Sequence, residues 1–328
     1  MKSSILTLCI IFCALFGGIS FVSATNLPVP FTIQAPDEHW REPWENACEE
    51  ATLTMVNLYY QMAIPQRTIP VDQAIAEILR VFRIKNATLG TSFDENAEKI
   101  TFLINNYFPF EAYTVENPTL EQIKAEIDAQ RPVIGLFYGR DLHNQYFRDG
   151  GPAYHTFPIS GYDDEKQEFI VQETGTRHGL DFRYSYATIM RAIHDFVPHN
   201  VQNSPKRIIF TRTMTAETRN LDADKDGLSK SEEILSGTDM FLPDTDFDGF
   251  SDGIEVKYDY SPKIAELKLP TGTLIKSKHA PSVYLLDGRS KRLILSEKAF
   301  LERGYKWENI LDVSDGFLRR LSDGANIE

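Results

Sequence analysis

Cysteine is scarce in this chain. Of 3 cysteines in 328 residues, Cys9 and Cys13 lie in an apolar run near the N-terminus. Once that run is set aside, Cys48 stands alone and an internal disulfide is excluded. A free thiol in an exported protein is either buried and inert or reactive and used. Long apolar stretches are scarce too. Beyond Ile5 to Val22, none is long and apolar enough to span a bilayer. Basic charge is in deficit, with 34 Lys and Arg against 47 Asp and Glu and a net charge of −13. Such a balance repels nucleic acid, so no nucleic-acid partner is expected.

What is present begins with that apolar run. Met1-Lys-Ser-Ser, the run itself and the small-x-small end Val22-Ser-Ala24 have the pattern of a secretory signal over residues 1–24. Cleavage after Ala24 predicts a secreted or extracellular protein, free or held at the cell surface, with no transmembrane segment left. An uncleaved anchor is the alternative. Charge then divides the remainder. Between Glu217 and Asp259 stand thirteen acidic residues against four basic ones, a block that attracts divalent cations. Boundaries are therefore expected near 216 and 260, giving segments 25–215, 216–259 and 260–328.

After Cys48 the chain turns helical. Ala51, Met55, Leu58 and Tyr59 recur at steps of three and four and form an apolar stripe. Cys48 thus sits at a helix N-terminus, where unpaired N–H groups and the dipole favour a thiolate. Glu49 and Glu50 oppose that ionisation, so a further positive group is required. A short strand is predicted over Val29–Gln34. Further helices are predicted over Val71–Arg83, over Asp94–Asn105 and from Asn117-Pro118 to before Arg131-Pro132. From Pro132 the pattern changes to strands over 133–138, 154–162, 167–172, 182–186 and 207–211, with a short helix over 187–196. Helices followed by an antiparallel sheet make an α+β domain.

A thiol hydrolase needs an imidazole, a group that orients it and an oxyanion donor. Of 7 histidines, only His155 opens a predicted strand inside an apolar run. The hairpin after it returns Gln172 and Glu173 alongside. Gln34, with Asn46 as the alternative, could donate to an oxyanion. Taken singly, a buried cysteine and a strand histidine are more often structural than catalytic. Together, Pro30-Phe-Thr-Ile-Gln-Ala-Pro36, Ala47-Cys-Glu-Glu-Ala51 and His155-Thr-Phe-Pro-Ile-Ser-Gly-Tyr-Asp163 resemble a papain-like cysteine peptidase. The likeness is to the bacteriocin-leader (double-glycine) peptidases and their secreted relatives, over about residues 28–214. The resemblance implies Cys48 as nucleophile, His155 as general base, Gln34 as oxyanion donor and a protein or peptide substrate. The family's Asn/Asp-Asp-Pro-Gly segment is Gln172-Glu-Thr-Gly175 here, leaving Gln172 or Glu173 to orient the histidine. A binding protein without turnover and a cell-wall peptide amidase are the other readings.

The acidic block carries one spacing twice. Asp222, Asp224, Asp226 and Glu233 occupy positions 1, 3, 5 and 12 of a loop with Gly227 at position 6. Asp244, Asp246, Asp248 and Glu255 repeat the pattern around Gly249, with Asp252 added at position 9. Calcium takes six to eight oxygens from a sharply turned loop, so Ca2+ is the expected ion, with the carbonyls of Leu228 and Phe250 at position 7. Lys230 takes the first loop's position 9, where an oxygen would help. The loops start too close together for paired EF-hands. Gly237-Thr-Asp239 followed by Asp244-Thr-Asp-Phe-Asp-Gly249 resembles the thrombospondin type 3 repeat, which implies shared ligands and a bridging Asp239. Such a segment is expected to be an irregular spacer that calcium stiffens. The C-terminal segment reads as a small α+β module, with a hairpin around Asp287-Gly288 and a short helix over Ser296–Glu302. It resembles a module of bacterial surface proteins, and its slightly basic balance suits contact with an anionic cell-wall polymer.

Overall fold

The computed structural model describes residues 24–63, 66–92 and 94–328. The signal segment lies outside them, apart from Ala24, which begins the first strand. The chain forms β1 (Ala24–Asn26), α1 (Cys48–Tyr60), α2 (Val71–Leu89), α3 (Ala97–Tyr107), β2 (Phe110–Glu116) and α4 (Leu120–Asp128). Then follow β3 (Val133–Phe137), β4 (His155–Asp163), β5 (Glu168–Val171), β6 (Phe182–Ser185), α5 (Tyr186–Ala192) and β7 (Arg207–Thr213). These strands make one antiparallel sheet in the order β2-β7-β3-β4-β5-β6. β1 pairs with the far end of β4, from Gly161 to Asp163, beyond the stretch that β3 covers.

Burial explains the arrangement. All nine residues of β4 are buried, because α1 covers one face and strands flank both edges. α1 is buried along almost its whole length, so its apolar stripe widens to include Thr52, Thr54 and Asn57. The core beneath the sheet joins Met55, Ile123, Phe137, Phe157 and Phe169. Phe137 stacks on Phe157 at 4.3 Å, and Phe157 faces Tyr184 at 5.7 Å, which seats the N-terminal end of β4 on an aromatic column.

Two expectations are corrected here, and one strand is added. Val29–Gln34 is not a strand: it is buried, and only Phe31 makes a bridge, to Thr68. α2 runs on to Leu89, past Arg83, because Lys85 continues the buried line of Ala74, Ile78 and Val81. The edge strand β2 was not foreseen. It follows α3 closely, and Asn105 ties the two by bonding both the N–H and the carbonyl of Ala112.

Beyond β7 the chain forms α6 (Ala216–Arg219), α7 (Lys230–Ser236) and α8 (Asp252–Lys257). Most of the acidic block is irregular, and each of its loops leads into a short helix. Ser229 caps α7 with Glu232 in a reciprocal capping box. A second sheet ends the chain: β8 (Leu274–Ser277), β9 (Val283–Asp287), β10 (Ser290–Leu293), α9 (Glu297–Glu302), β11 (Ile310–Val313), α10 (Asp315–Arg320) and β12 (Ser322–Asp323). Its order is β11-β8-β9-β10-β12, with the expected hairpin at its centre and parallel pairs at both edges. It has its own apolar core around Ile275, Leu286, Phe300 and Phe317. No helix among the described residues is long and apolar enough to cross a membrane.

Candidate active site and candidate metal centres

Cys48 begins α1, and His155 begins β4. Both line one cleft of about 1460 Å³, together with Gln34, Asp94, Phe147 and Gly175. α1 packs along β4, with the Thr52 and Thr156 hydroxyls 3.3 Å apart. Thr52 lies one helical turn after Cys48 and Thr156 directly follows His155, so this contact registers the two site residues against each other.

The histidine is held firmly. Its Nε2 lies 2.5 Å from Glu173 Oε1, and both side chains are buried. Glu173 is itself fully used. Oε1 accepts the Gly175 N–H at 2.8 Å and Oε2 accepts the Tyr184 hydroxyl at 2.7 Å. Asn144 donates to that Tyr184 oxygen at 2.7 Å in turn. The edge of Phe147 abuts the imidazole at 5.2 Å. Gly175 leaves this room: a Cβ there would lie 2.7 Å from Phe147 and 3.2 Å from both Glu173 Oε1 and the imidazole.

Gln172 points elsewhere. Its amide nitrogen donates to Ser160 Oγ at 3.1 Å and to Asp181 Oδ1 at 2.8 Å, and its oxygen accepts the Asp181 N–H. Neighbouring residues of an extended chain face opposite sides, so only one of the pair can meet the ring. The open choice between the two acyl side chains therefore resolves geometrically to Glu173.

Gln34 is beside Cys48, but its amide N–H groups are engaged. Nε2 donates to the carbonyls of Trp44 at 3.0 Å and Glu45 at 2.9 Å. Its structural work is to hold the turn that delivers Cys48, and this corrects its reading as a free oxyanion donor. Asn46 is engaged as well, donating to Glu42 at 2.7 Å. The N–H of Cys48 is among the first four of α1, which have no acceptor inside the helix.

The surroundings of Cys48 are acidic. Burial pushes its thiol well above the usual value, and the charges of Asp94 and then Glu49 push it further, while a hydrogen bond from Thr156 works the other way. The helix terminus alone therefore does not make a resting thiolate. Glu49 and Glu50 turn inward, away from the cleft, to Lys85 of α2. Lys85 Nζ lies 3.4 Å from Glu49 Oε2 and is paired with Glu50 Oε1. Burial raises the Glu50 carboxyl to about 7 despite Lys85, and raises Asp94 to about 6. Lys85 and Asp94 were not found from the sequence. The available signal was a lysine at the next buried step of the α2 stripe.

The acidic loops fold alike. Asp222 receives the N–H groups of Lys225 and Gly227, and Asp244 those of Asp248 and Gly249. Gly227 and Gly249 take φ values of +104° and +100°, which turn each loop at its sixth position. Leu228 and Phe250 follow, each donating its N–H to the fifth-position aspartate. Three carboxylate groups result, each with oxygens within 4.8 Å: Asp222-Asp224-Asp226, Asp244-Asp246-Asp248 and the inter-loop set Asp226-Glu233-Asp252. Glu255 faces the second loop, and its carboxyl is raised to about 8 by burial and by Asp246 and Asp248. Buried oxygens of Asp224, Asp246, Glu233 and Glu255 lack any hydrogen-bond donor. Converging carboxylates with orphaned buried oxygens form a donor set that fits a calcium ion.

Two expectations change. Asp239 belongs to none of the three groups: it accepts the Phe241 N–H in a local turn, while Asp252 joins the loops instead. Lys230 leaves its loop altogether. It is fully buried, and its Nζ donates to the Asn105 carbonyl at the end of α3.

The Peptidase C39 like family matches residues 26–194, just over half of the chain. A crystal structure described as that of a C39-like peptidase from Bacillus anthracis is similar at 14% identity and a TM-score of 0.39. That similarity covers 58% of this chain and 98% of the other. No curated protein matches. The chain belongs to the Peptidase C39-like family and is a cysteine peptidase-like protein of mixed helix and sheet.

Proposed function

We propose that the protein is an exported papain-like cysteine peptidase that hydrolyses peptide bonds through Cys48 and His155. The observation that carries this reading is the buried His155–Glu173 pair at 2.5 Å, opening onto the same cleft as the lone thiol. Cys48 attacks the peptide carbonyl while His155 takes the thiol proton, so no resting thiolate is required. Glu173 orients the ring and stabilises the imidazolium, and Tyr184 and Gly175 orient Glu173. The Cys48 N–H supplies an oxyanion donor at the helix start. The imidazolium then protonates the leaving amine, and water hydrolyses the thioester.

Export rests on the N-terminal apolar run and its small-residue end. Calcium would be held by the carboxylates of the two thrombospondin type 3-like loops and would neutralise their repulsion, which stiffens the connection to the second sheet. The C-terminal module would then serve attachment, for which an anionic cell-wall polymer is the suited partner.

One observation favours a second reading, a peptide-binding protein without turnover: the sulfur is buried, and burial and the charge of Asp94 push its thiol pKa up. Alkylation of Cys48 by iodoacetamide between pH 6 and 8, in wild type and His155→Ala, separates the two. Labelling that slows at least tenfold without His155 supports the peptidase, and equal labelling in both proteins rejects it.

A further inference from the structure

Two buried acids directly follow the nucleophile proposed here, and among the described residues Lys85 is the cation paired with them. Glu49 and Glu50 are 2% and 0% exposed. Glu49 Oε1 accepts the Glu95 N–H at 2.7 Å, and its Oε2 lies 3.4 Å from Lys85 Nζ. The same Nζ pairs with Glu50 Oε1, while Lys85 itself is 1% exposed. Lys85 comes from α2, the two acids from α1 and Glu95 from the segment before α3. The cluster therefore joins three elements directly behind the sulfur.

Other charged and titratable groups surround it. Asp94 faces the cleft with Cys48 and His155. The Glu95 carboxylate turns away to Lys99 at 2.7 Å and to Ser92. Tyr154, just before β4, donates its hydroxyl to the Glu95 carbonyl at 3.0 Å. Asp195 is bound to the Ala97 N–H and to Arg207. Lys85 is thus the cation that directly contacts the two acids of the helix start.

We propose that Lys85 is a positioning residue of the thiol site: through Glu49 and Glu50 it offsets the negative charge behind Cys48 and ties the helix start to the 94–95 segment. This rests on the peptidase reading. When His155 takes the thiol proton, the new thiolate lies within one turn of both buried glutamates. Charges interact strongly there because the effective dielectric is low. Without the ammonium, whatever charge the glutamates keep repels the thiolate, most strongly above their burial-raised pKa values, and proton transfer to His155 is disfavoured there. The two acids are tolerated at a nucleophilic helix start because the third partner arrives from α2.

The test is the pH profile of iodoacetamide labelling of Cys48 in the full chain, from pH 5.5 to 9.5. Wild type, Lys85→Met, His155→Ala and the triple variant Lys85→Met/Glu49→Gln/Glu50→Gln are compared, with folding checked by circular dichroism. Glutamine keeps an oxygen for the Glu95 N–H while removing the charge. Lys85→Met is expected to move the profile up by about one pH unit, roughly tenfold slower labelling at pH ~7. The triple variant is expected to return to within about threefold of wild type, which loss of packing alone would not do. A folded Lys85→Met with the wild-type profile overturns the proposal, as does a folded triple variant that stays tenfold slow. If Lys85→Met does not fold, the triple variant decides alone. Slowing by His155→Ala but not by Lys85→Met removes only the role of Lys85. Slowing by neither removes the peptidase reading beneath it.

Discussion

The orienting carboxylate shows how much one residue settles. Glu173 meets His155, Tyr184 and the Gly175 N–H at once, whereas Gln172 serves Ser160 and Asp181. Glu173→Gln keeps the shape but removes the charge that stabilises the imidazolium. Its kcat/KM on peptides should fall about 100-fold or more, while Gln172→Ala should stay within a few-fold of wild type. Steady-state kinetics on the purified variants checks both. Acidic groups near the thiol also set a pH dependence. Burial holds Glu50 at about 7 and Asp94 at about 6 in the fold, both above the usual carboxylate values. Between about pH 4.5 and 7 the folded state therefore binds more protons than the unfolded chain, and stability falls as pH rises. Denaturant midpoints from pH 5 to 8 should decline by this contribution, and Glu50→Gln should flatten the slope.

At the scale of elements, the periodic ones were legible. The α1 stripe, the β4–β5 hairpin and the change from helix to sheet near Pro132 all announce themselves through spacing. What escaped depends on tertiary contact. β2 is an edge strand held to α3 by the Asn105 amide, and nothing in its own pattern reveals that. The parallel edges of the second sheet are non-local pairings of the same kind. The aromatic column under β4 gives a stability prediction. Phe157→Ala removes a fully buried ring between Phe137 and Tyr184 and should cost about 3–5 kcal/mol in chemical denaturation. The acidic loops give another. Calcium at 100 times its Kd should stabilise the fold by about 3 kcal/mol per independent site, seen as a rise in Tm. Asp252→Asn, in the inter-loop group, should lose most of that rise, and Asp239→Asn should keep it.

Across the whole molecule, a first sheet with its helices is followed by two acidic loops with short helices and then by a second sheet with its own apolar clusters. Contacts cross between these parts. Lys230 reaches back into the first segment to the Asn105 carbonyl, and Asp259 pairs with Arg319 of the last. Of the candidate site, Cys48, His155 and Glu173 were legible because each sits where a helix or strand signal starts or a hairpin returns. The Gln34 amide and the Lys85 cluster were not, since a side chain's hydrogen-bond partners are set by packing between distant segments. The central claim is that Cys48 turns over peptides with His155 as its base. The direct measurement is mass-spectrometric detection of new termini in a diverse peptide pool incubated with wild type, Cys48→Ala or His155→Ala. The account predicts cleavage by wild type and none by either variant. A pool left intact by wild type, or cut equally by Cys48→Ala, would contradict it.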